Sequence, residues 1–195
     1  MTDQQQLSQN TINEFVIAAH SDLDKVQQML AEEPALLNEN ADWIETAIQG
    51  AAHVNNRPII DYLIAQGAPI DICTAAVLGQ GAEVAALLRD SPEMARATGP
   101  HNLPVMFYPA LTGHTAIAEL LYNAGSPVNV EDGTSSPLHA AAGFGQAAMA
   151  RWLLDHDANP YTADFEGKTP IERAEESGFT EIVDMLRPFY KVDEA

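Results

Sequence analysis

Residues 136–145 have the sequence Ser136-Pro137-Leu138-His139-Ala140-Ala141-Ala142-Gly143-Phe144-Gly145, and this stretch decides the fold of the 195-residue chain. Thirty-three residues later the pattern returns as Thr169-Pro170-Ile171-Glu172-Arg173-Ala174, with Gly178 in the place of Gly145. A repeat of this length with this start indicates stacked helix–turn–helix units. One such unit cannot bury its apolar face alone, so the pattern predicts a solenoid stabilised by contacts between neighbouring units.

The same register extends towards the N-terminus. The turn between the two helices of each unit is predicted at six positions, which are Ser21, Asn55, Gly79, Gly113, Gly145 and Gly178. Glycine and asparagine suit such a turn because they tolerate a positive φ. After each turn, apolar residues recur at i, i+3 and i+4, as in Val84, Leu87 and Leu88, which is typical of a half-buried helix. Six units are therefore expected.

Helix signals place the domain boundaries. Thr169-Pro170-Ile171-Glu172 combines an N-cap threonine, a proline at the first helical position and a glutamate that completes a capping box. Residues 1–10 are polar and glutamine-rich, and we expect a disordered lead-in there. Residues 11–190 are predicted to form one domain, and residues 191–195 a polar tail.

The charge balance restricts the partners. The formal net charge is −19, from 28 acidic and nine basic residues, and 46% of the residues are hydrophobic. This composition supports a packed core, and the charge disfavours binding to nucleic-acid phosphates or anionic membranes. It is compatible with a basic protein partner, and equally with a purely solubilising role. The N-terminal residues do not have the pattern of a secretory signal, so we expect a cytoplasmic protein.

On these residues the chain resembles the ankyrin repeat family. The resemblance is specific at residues 110–187, through the Pro-Leu-His start and the segment Trp152-Leu153-Leu154-Asp155-His156-Asp157-Ala158-Asn159. Before residue 110 the match is looser. The resemblance implies an all-α ankyrin repeat solenoid of about six stacked helix–turn–helix units with short β-hairpin fingers, some missing or irregular.

The middle of the chain departs from the family pattern. Pro104-Val105-Met106-Phe107-Tyr108-Pro109 replaces the usual start, and Pro109 is expected to kink the first helix of its unit. Only 24 residues separate Asn55 from Gly79, so residues 67–71 should lead straight into the next helix. Longer loops are predicted at residues 32–40 and 90–99. These irregularities indicate either a shaped notch or neutral drift.

The resemblance implies a function as a non-catalytic protein–protein interaction module, an adaptor, inhibitor or assembly factor, that binds through its concave face. The candidate partner-binding residues are Asp42, Trp43, Glu45, His53, His101, Leu103, Leu111, Thr112, Asp132, Ser135, Phe144, Phe165, Glu166, Lys168 and Glu176. Aromatic side chains dominate binding energy at many interfaces. For Trp43 the alternative is packing as a lid over the N-terminal unit, and for Phe144 and Phe165 it is packing between fingers.

No catalytic or metal site is predicted from the sequence, and no cofactor is expected. His139 occupies a position where a hydrogen bond to loop backbone explains it. His20 and His53 end the first helices of adjacent units, and a helix spacing of about 8–10 Å would keep them from sharing a zinc ion. The partner is expected to be an unidentified protein and the chain to be a monomer. Two alternatives stay open, a small-molecule-binding or enzymatic pocket near residues 99–110, and a structural oligomer subunit.

Overall fold

The computed structural model describes residues 7–190, so the predicted tail and most of the predicted lead-in lie outside the described residues. Ser8 is the N-cap of the first helix. Among residues 7–190, twelve α-helices form six helix–turn–helix pairs, and no residue lies in a strand. They are α1 Gln9–Ala18, α2 Leu23–Glu32, α3 Ala47–His53, α4 Arg57–Ala65, α5 Ile72–Val77, α6 Gly81–Asp90, α7 Phe107–Thr112, α8 Thr115–Asn123, α9 Pro137–Gly143, α10 Ala147–Asp155, α11 Pro170–Ser177 and α12 Thr180–Leu186. The predicted all-α fold is confirmed.

The chain divides into two compact units, one ending at Thr74 and one beginning at Ala75. In the first unit, α1 packs against α3 and α2 against α4. In the second unit, α9 packs between α7 and α11, while α8 and α10 connect α6 to α12 in the row of second helices. Each row buries its apolar stripe. The largest fully buried side chains include Phe15, Ile59, Ile60 and Leu63 in the first unit, and Met106, Leu111, Leu121, Leu138, Met149 and Leu153 in the second.

The turns between paired helices show why glycine recurs there. Asn55, Gly79, Gly113, Gly145 and Gly178 all have a positive φ, whereas Ser21 does not. Gly145 has a second reason, because a Cβ atom at this position would lie 2.5 Å from Cε1 of Phe179 in the next repeat. The turn position therefore serves both the local backbone and the packing between repeats.

The segments that the sequence marked as irregular form short helices and short connections. Prolines open 3₁₀ helices at Pro34–Asn38 and Pro92–Arg96, inside the two predicted long loops. Only six residues separate α4 from α5, as the short repeat predicted. The expected kink at Pro109 was wrong, because α7 begins at Phe107 and places Pro109 in its first turn. An N–H group there has no intrahelical partner, so its loss costs little.

No helix in residues 7–190 combines the length and the apolar character needed to cross a membrane.

Candidate functional site

A finger loop at residues 164–169, called here the second finger loop, shapes one candidate site in the second unit. Asp164 is buried, and its Oδ1 atom accepts hydrogen bonds from the N–H groups of Glu166 (2.9 Å) and Lys168 (3.0 Å). Its Oδ2 atom accepts from Nε of Arg173 at 2.6 Å, and Nη2 of Arg173 lies 2.5 Å away. Burial raises the pKa of Asp164, but these hydrogen bonds and Arg173 outweigh it and hold the pKa below its ordinary value. The carboxylate therefore fixes both the loop and the arginine.

His139, on α9, ties the neighbouring repeat to this loop. Its Nδ1 atom accepts a hydrogen bond from the N–H group of Ser136 (3.0 Å), so Nε2 carries the proton of the neutral ring and donates to the carbonyl oxygen of Lys168 (2.9 Å). Burial lowers the pKa of His139 and favours this neutral form. The geometry is the loop-backbone hydrogen bond that the sequence predicted for this histidine.

A shallow groove of about 380 Å³ lies between the second finger loop and the first helices α9 and α11. Two phenylalanines on its rim are exposed, Phe144 by 47% and Phe165 by 72%. Buried Phe107 also lines the groove, and Ser135 and Arg173 contribute polar atoms. Exposed aromatic rings beside a concave surface are typical of protein interaction sites.

The cations at the groove are already paired with carboxylates. Nζ of Lys168 lies 2.6 Å from Glu176 and 3.2 Å from Glu166, and these contacts raise the pKa of Lys168. Arg173 contacts Asp164, Glu166 and Glu176, and its guanidinium carbon lies 5.8 Å from the centre of the Phe165 ring. Three carboxylates thus face two cations, which leaves the groove acidic.

The first unit contains a different cluster, formed by His20, Glu45 and His53 and called here the His–Glu cluster. Glu45 is fully buried, and its Oε1 atom lies 2.9 Å from Nδ1 of His53 and 3.6 Å from Nε2 of His20. Nε1 of Trp43 donates a hydrogen bond to the other oxygen, Oε2. Burial raises the pKa of Glu45, but His53 and Trp43, with a smaller contribution from His20, outweigh it and hold the pKa below its ordinary value.

The closeness of the two histidines corrects the spacing argument made from the sequence. Their ring centroids lie 4.8 Å apart, because both side chains extend from helix ends towards the same carboxylate. The distance between helix axes does not limit where long side chains end. One nitrogen of each ring and one oxygen of Glu45 lie within 4.8 Å of one another.

Three of the predicted partner-binding residues are buried and do not offer a side chain to a partner. Glu45 turns inward to the histidines, Leu103 is 7% exposed, and Leu111, on α7, is fully buried. The expectation that these three contact a partner was wrong, because a finger position does not by itself fix the direction of a side chain. Trp43 is 40% exposed, although its indole nitrogen is engaged by Glu45.

The other predicted partner-binding residues differ in their contacts and exposure. Asp42 and Asn13 exchange two hydrogen bonds, and Asp132 accepts one from the N–H group of Ala163. His101 is exposed with a φ of 55°, and Thr112 is half-buried. The structure brings Ser135, Phe144, Phe165 and Glu166 together at the groove, with Lys168 and Glu176 ion-paired beside it. Asp164 and Arg173, which organise the groove, were not among the candidates. Asp164 is in the second finger loop and Arg173 is nine residues later on α11, where the two side chains meet.

A second, smaller groove of about 220 Å³ lies in the region where the sequence left a pocket open. It is lined by residues around Thr98 and Pro104 and by residues around Ser126 and Val130. Sites for small molecules usually enclose about 300–1,000 Å³. The geometry gives this alternative less support than it gives the groove beside Phe144 and Phe165.

Comparison with known proteins identifies the repeated part of the chain. A family model described as ankyrin repeats (3 copies) matches residues 106–193. The chain is 48% identical over 44 residues to the putative ankyrin repeat protein YahD of Escherichia coli (strain K12), which is 23% of this chain and 22% of that protein. It is 36% identical over 78 residues to the human ARF GTPase-activating protein GIT1, which is 38% of this chain and 10% of that protein.

A third relative is the 26S proteasome non-ATPase regulatory subunit 10 of Dictyostelium discoideum, 35% identical over 75 residues, which is 37% of this chain and 32% of that protein. The matches therefore span between a tenth and a third of these three relatives' own lengths.

Proposed function

The chain belongs to the ankyrin repeat family, and from this premise we propose that it binds a protein partner in the groove between Phe144 and Phe165. Ankyrin repeats are generally protein–protein interaction modules and are typically non-catalytic. The observation that carries the proposal is the exposure of two phenylalanines on one rim, 47% and 72%, beside a concave surface. Exposure of aromatic rings to water is unfavourable, and contact with an apolar side chain of a partner would lower the free energy by burying them.

The chemistry of the groove defines the partner. An apolar side chain of the partner fits against Phe107 between the two exposed rings. The three carboxylates of Asp164, Glu166 and Glu176 face the two cations Lys168 and Arg173, so this rim has more negative than positive charge. A segment with an apolar residue followed by lysine or arginine is therefore the proposed ligand, and this chain acts as an adaptor, inhibitor or assembly factor for the protein that carries it.

The net charge of −19 supports the same choice of partner. A strongly acidic surface accelerates association with a basic protein, and added salt slows it. The same charge opposes self-association at low salt, so the proposal describes a monomer. We place its action in the cytoplasm, where a buried cysteine such as Cys73 stays reduced.

The test is a selection of peptides from a random display library on the full chain, followed by affinity measurements. The selected peptides should carry an apolar residue next to lysine or arginine. The double variant Phe144→Ala/Phe165→Ala should bind them at least about tenfold more weakly, because each truncated aromatic anchor typically costs 1 kcal/mol or more. Leu120→Ala is the matched control, since Leu120 is 39% exposed but lies on α8 outside the groove.

Two results would contradict the proposal. One is a set of selected peptides that bind the double variant as tightly as the wild type. The other is an equal loss in Leu120→Ala, which would locate the binding surface on the second helices. An affinity that does not change between low and high salt would contradict the basic character of the partner, but it would not contradict binding in the groove.

A further inference from the structure

We propose that the His–Glu cluster of the first unit, His20, Glu45 and His53, binds a zinc ion. This inference is independent of the protein-binding groove, which lies in the second unit. Two imidazole nitrogens and one carboxylate oxygen are a ligand set that zinc accepts, with a fourth position left for water or another ligand. The three donor atoms lie within 4.8 Å of one another.

The distances fit one ion. Tetrahedral zinc with bonds of about 2.0–2.1 Å places its ligand atoms roughly 3.3 Å apart. Oε1 of Glu45 lies 2.9 Å from Nδ1 of His53 and 3.6 Å from Nε2 of His20. These two separations bracket the required value.

The groups behind the donor atoms orient them as the outer groups of a metal site do. Nδ1 of His20 lies 2.9 Å from the carbonyl oxygen of Val16. If Nδ1 donates there, the lone pair of Nε2 faces Glu45. Trp43 donates to Oε2 of Glu45 and leaves Oε1 directed at the two rings. Ligands that are held by backbone carbonyls and hydrogen-bond donors are characteristic of bound metals.

Burial and charge also favour a cation at this point. The side chain of Glu45 is fully buried, and within residues 7–190 no lysine or arginine lies within 4.0 Å of its carboxylate. A buried carboxylate without a permanent cation is costly, and a divalent ion removes that cost. The side chains of His20 and His53 are 26% and 13% exposed, which keeps a path for the ion from solvent.

Gly50 provides the space that the cluster needs. A Cβ atom at this position would lie 3.0 Å from Cε1 of His20 and 3.4 Å from Oε1 of Glu45. Gly50 is in the middle of α3, where glycine costs about 1 kcal/mol relative to alanine. The glycine is explained by the approach of His20 to Glu45.

The test is a titration of the full chain with zinc in competition with a chromogenic chelator. We expect one saturable site. Glu45→Gln, which keeps the shape of the side chain, and His20→Ala should each weaken binding by at least about 100-fold, because removal of an outer group alone costs 10–100-fold. Trp43→Phe should weaken it about tenfold by the same reasoning. His156→Ala is the control, since His156 is a half-buried histidine in the second unit, stacked on Trp152.

A second readout separates loss of the site from loss of folding. Circular dichroism should show native helix content in Glu45→Gln, and zinc should raise the melting temperature of the wild type but not of this variant. Cobalt should bind the wild type with the visible absorption of a four-coordinate ion and lose it in His20→Ala. Zinc binding that survives in Glu45→Gln and His20→Ala, or that shows no saturation at one ion per chain, would overturn the proposal.

Discussion

Two finger loops of this chain have the same backbone and different chemistry. In the second finger loop, the N–H group of Asp164 donates to the carbonyl oxygen of Lys168 (2.8 Å), and the N–H group of Gly167 donates to the carbonyl oxygen of Asp164 (2.9 Å). Residues 41–46, called here the first finger loop, repeat both bonds, from Ala41 to Glu45 (2.9 Å) and from Ile44 to Ala41 (2.9 Å). The repeat thus fixes the path of the chain and leaves the side chains free to differ.

The differences decide what each loop does. Lys168 pairs with Glu176 at the surface, and the corresponding residues of the first loop, Glu45 and His53, make a buried contact. Arg173, which binds Asp164, corresponds to Gly50 in the first unit. Without an arginine at this position there is room for His20, so one loop has a surface ion-pair network and the other an interior ligand set. A single difference at one repeat position, glycine in place of arginine, therefore changes which side chains can meet beside it.

The largest effect is expected from Asp164→Ala, which removes the centre of the second loop. Asp164 accepts three hydrogen bonds and pairs with Arg173, so its loss removes the closest and most buried carboxylate from the guanidinium and leaves two backbone N–H groups without their acceptor. We expect the free energy of unfolding to fall by about 2–4 kcal/mol. Urea denaturation measures it. Asp132→Ala, whose exposed carboxylate accepts one hydrogen bond from the N–H group of Ala163, is the control and should lose at most about 1 kcal/mol. Equal losses in the two variants would show that the Asp164 network is not the main support of the loop.

The next effect concerns the left-handed residue of each loop. Ile44 has a φ of 60°, where the second loop has Gly167 with a φ of 77°. A β-branched residue in this conformation is strained by about 1–2 kcal/mol. Gly167→Ile should therefore destabilise the chain by about this amount. Ile44→Gly should stabilise it by up to about 1 kcal/mol, since glycine loses part of the gain through the unfolded state.

Thermal unfolding of both variants checks this pair, and Ile44→Asn provides a control because asparagine tolerates the left-handed region. It should recover part of the gain of Ile44→Gly. Destabilisation by Ile44→Gly would mean that the exposed isoleucine makes contacts worth more than its strain.

The helices and turns could be predicted from the sequence because they depend on local patterns. Asn55, Gly113 and Gly145 mark turns that need a positive φ, and Ser136 and Pro137 mark a helix start; each signal acts within a few residues. That Phe144 and Phe165 share one surface was predicted in part, because the turn that holds Phe144 and the finger loop that holds Phe165 belong to adjacent repeats.

The His–Glu cluster could not be predicted in this way. His20 and Glu45 are 25 residues apart in the chain, and their contact depends on the inward turn of one side chain at a loop tip. Helix spacing gave the wrong expectation because it describes axes and not side-chain ends. Leu103 and Leu111 were misassigned for a related reason, since the irregular stretch before α7 shifts which residues face inward.

The smallest effect is expected where the two loops pass into their helices. Thr169 donates from its N–H group and its hydroxyl to Oε2 of Glu172, both at 2.7 Å, whereas the N–H group of Thr46 donates to the neutral Gln49 at 3.1 Å. The hydrogen bond from the Thr169 side chain is the main reason that the pKa of Glu172 is below its ordinary value of 4.5. A charged cap at the start of α11 also interacts with the helix dipole, so Glu172→Gln should cost about 0.3–0.5 kcal/mol at pH 7.

The sign of the pH dependence follows from the lowered pKa of Glu172. Its folded form binds fewer protons than the unfolded chain, so the contribution of the charge is complete above pH 4.5 and is lost as the pH falls below that value. The difference in unfolding free energy between the wild type and Glu172→Gln should therefore shrink between pH 7 and pH 3, whereas Glu172→Ala, which lacks the acceptor altogether, should stay less stable at both. A difference for Glu172→Gln that is constant over this range would show that the cap of the second loop acts as a neutral hydrogen-bond acceptor, as Gln49 does in the first.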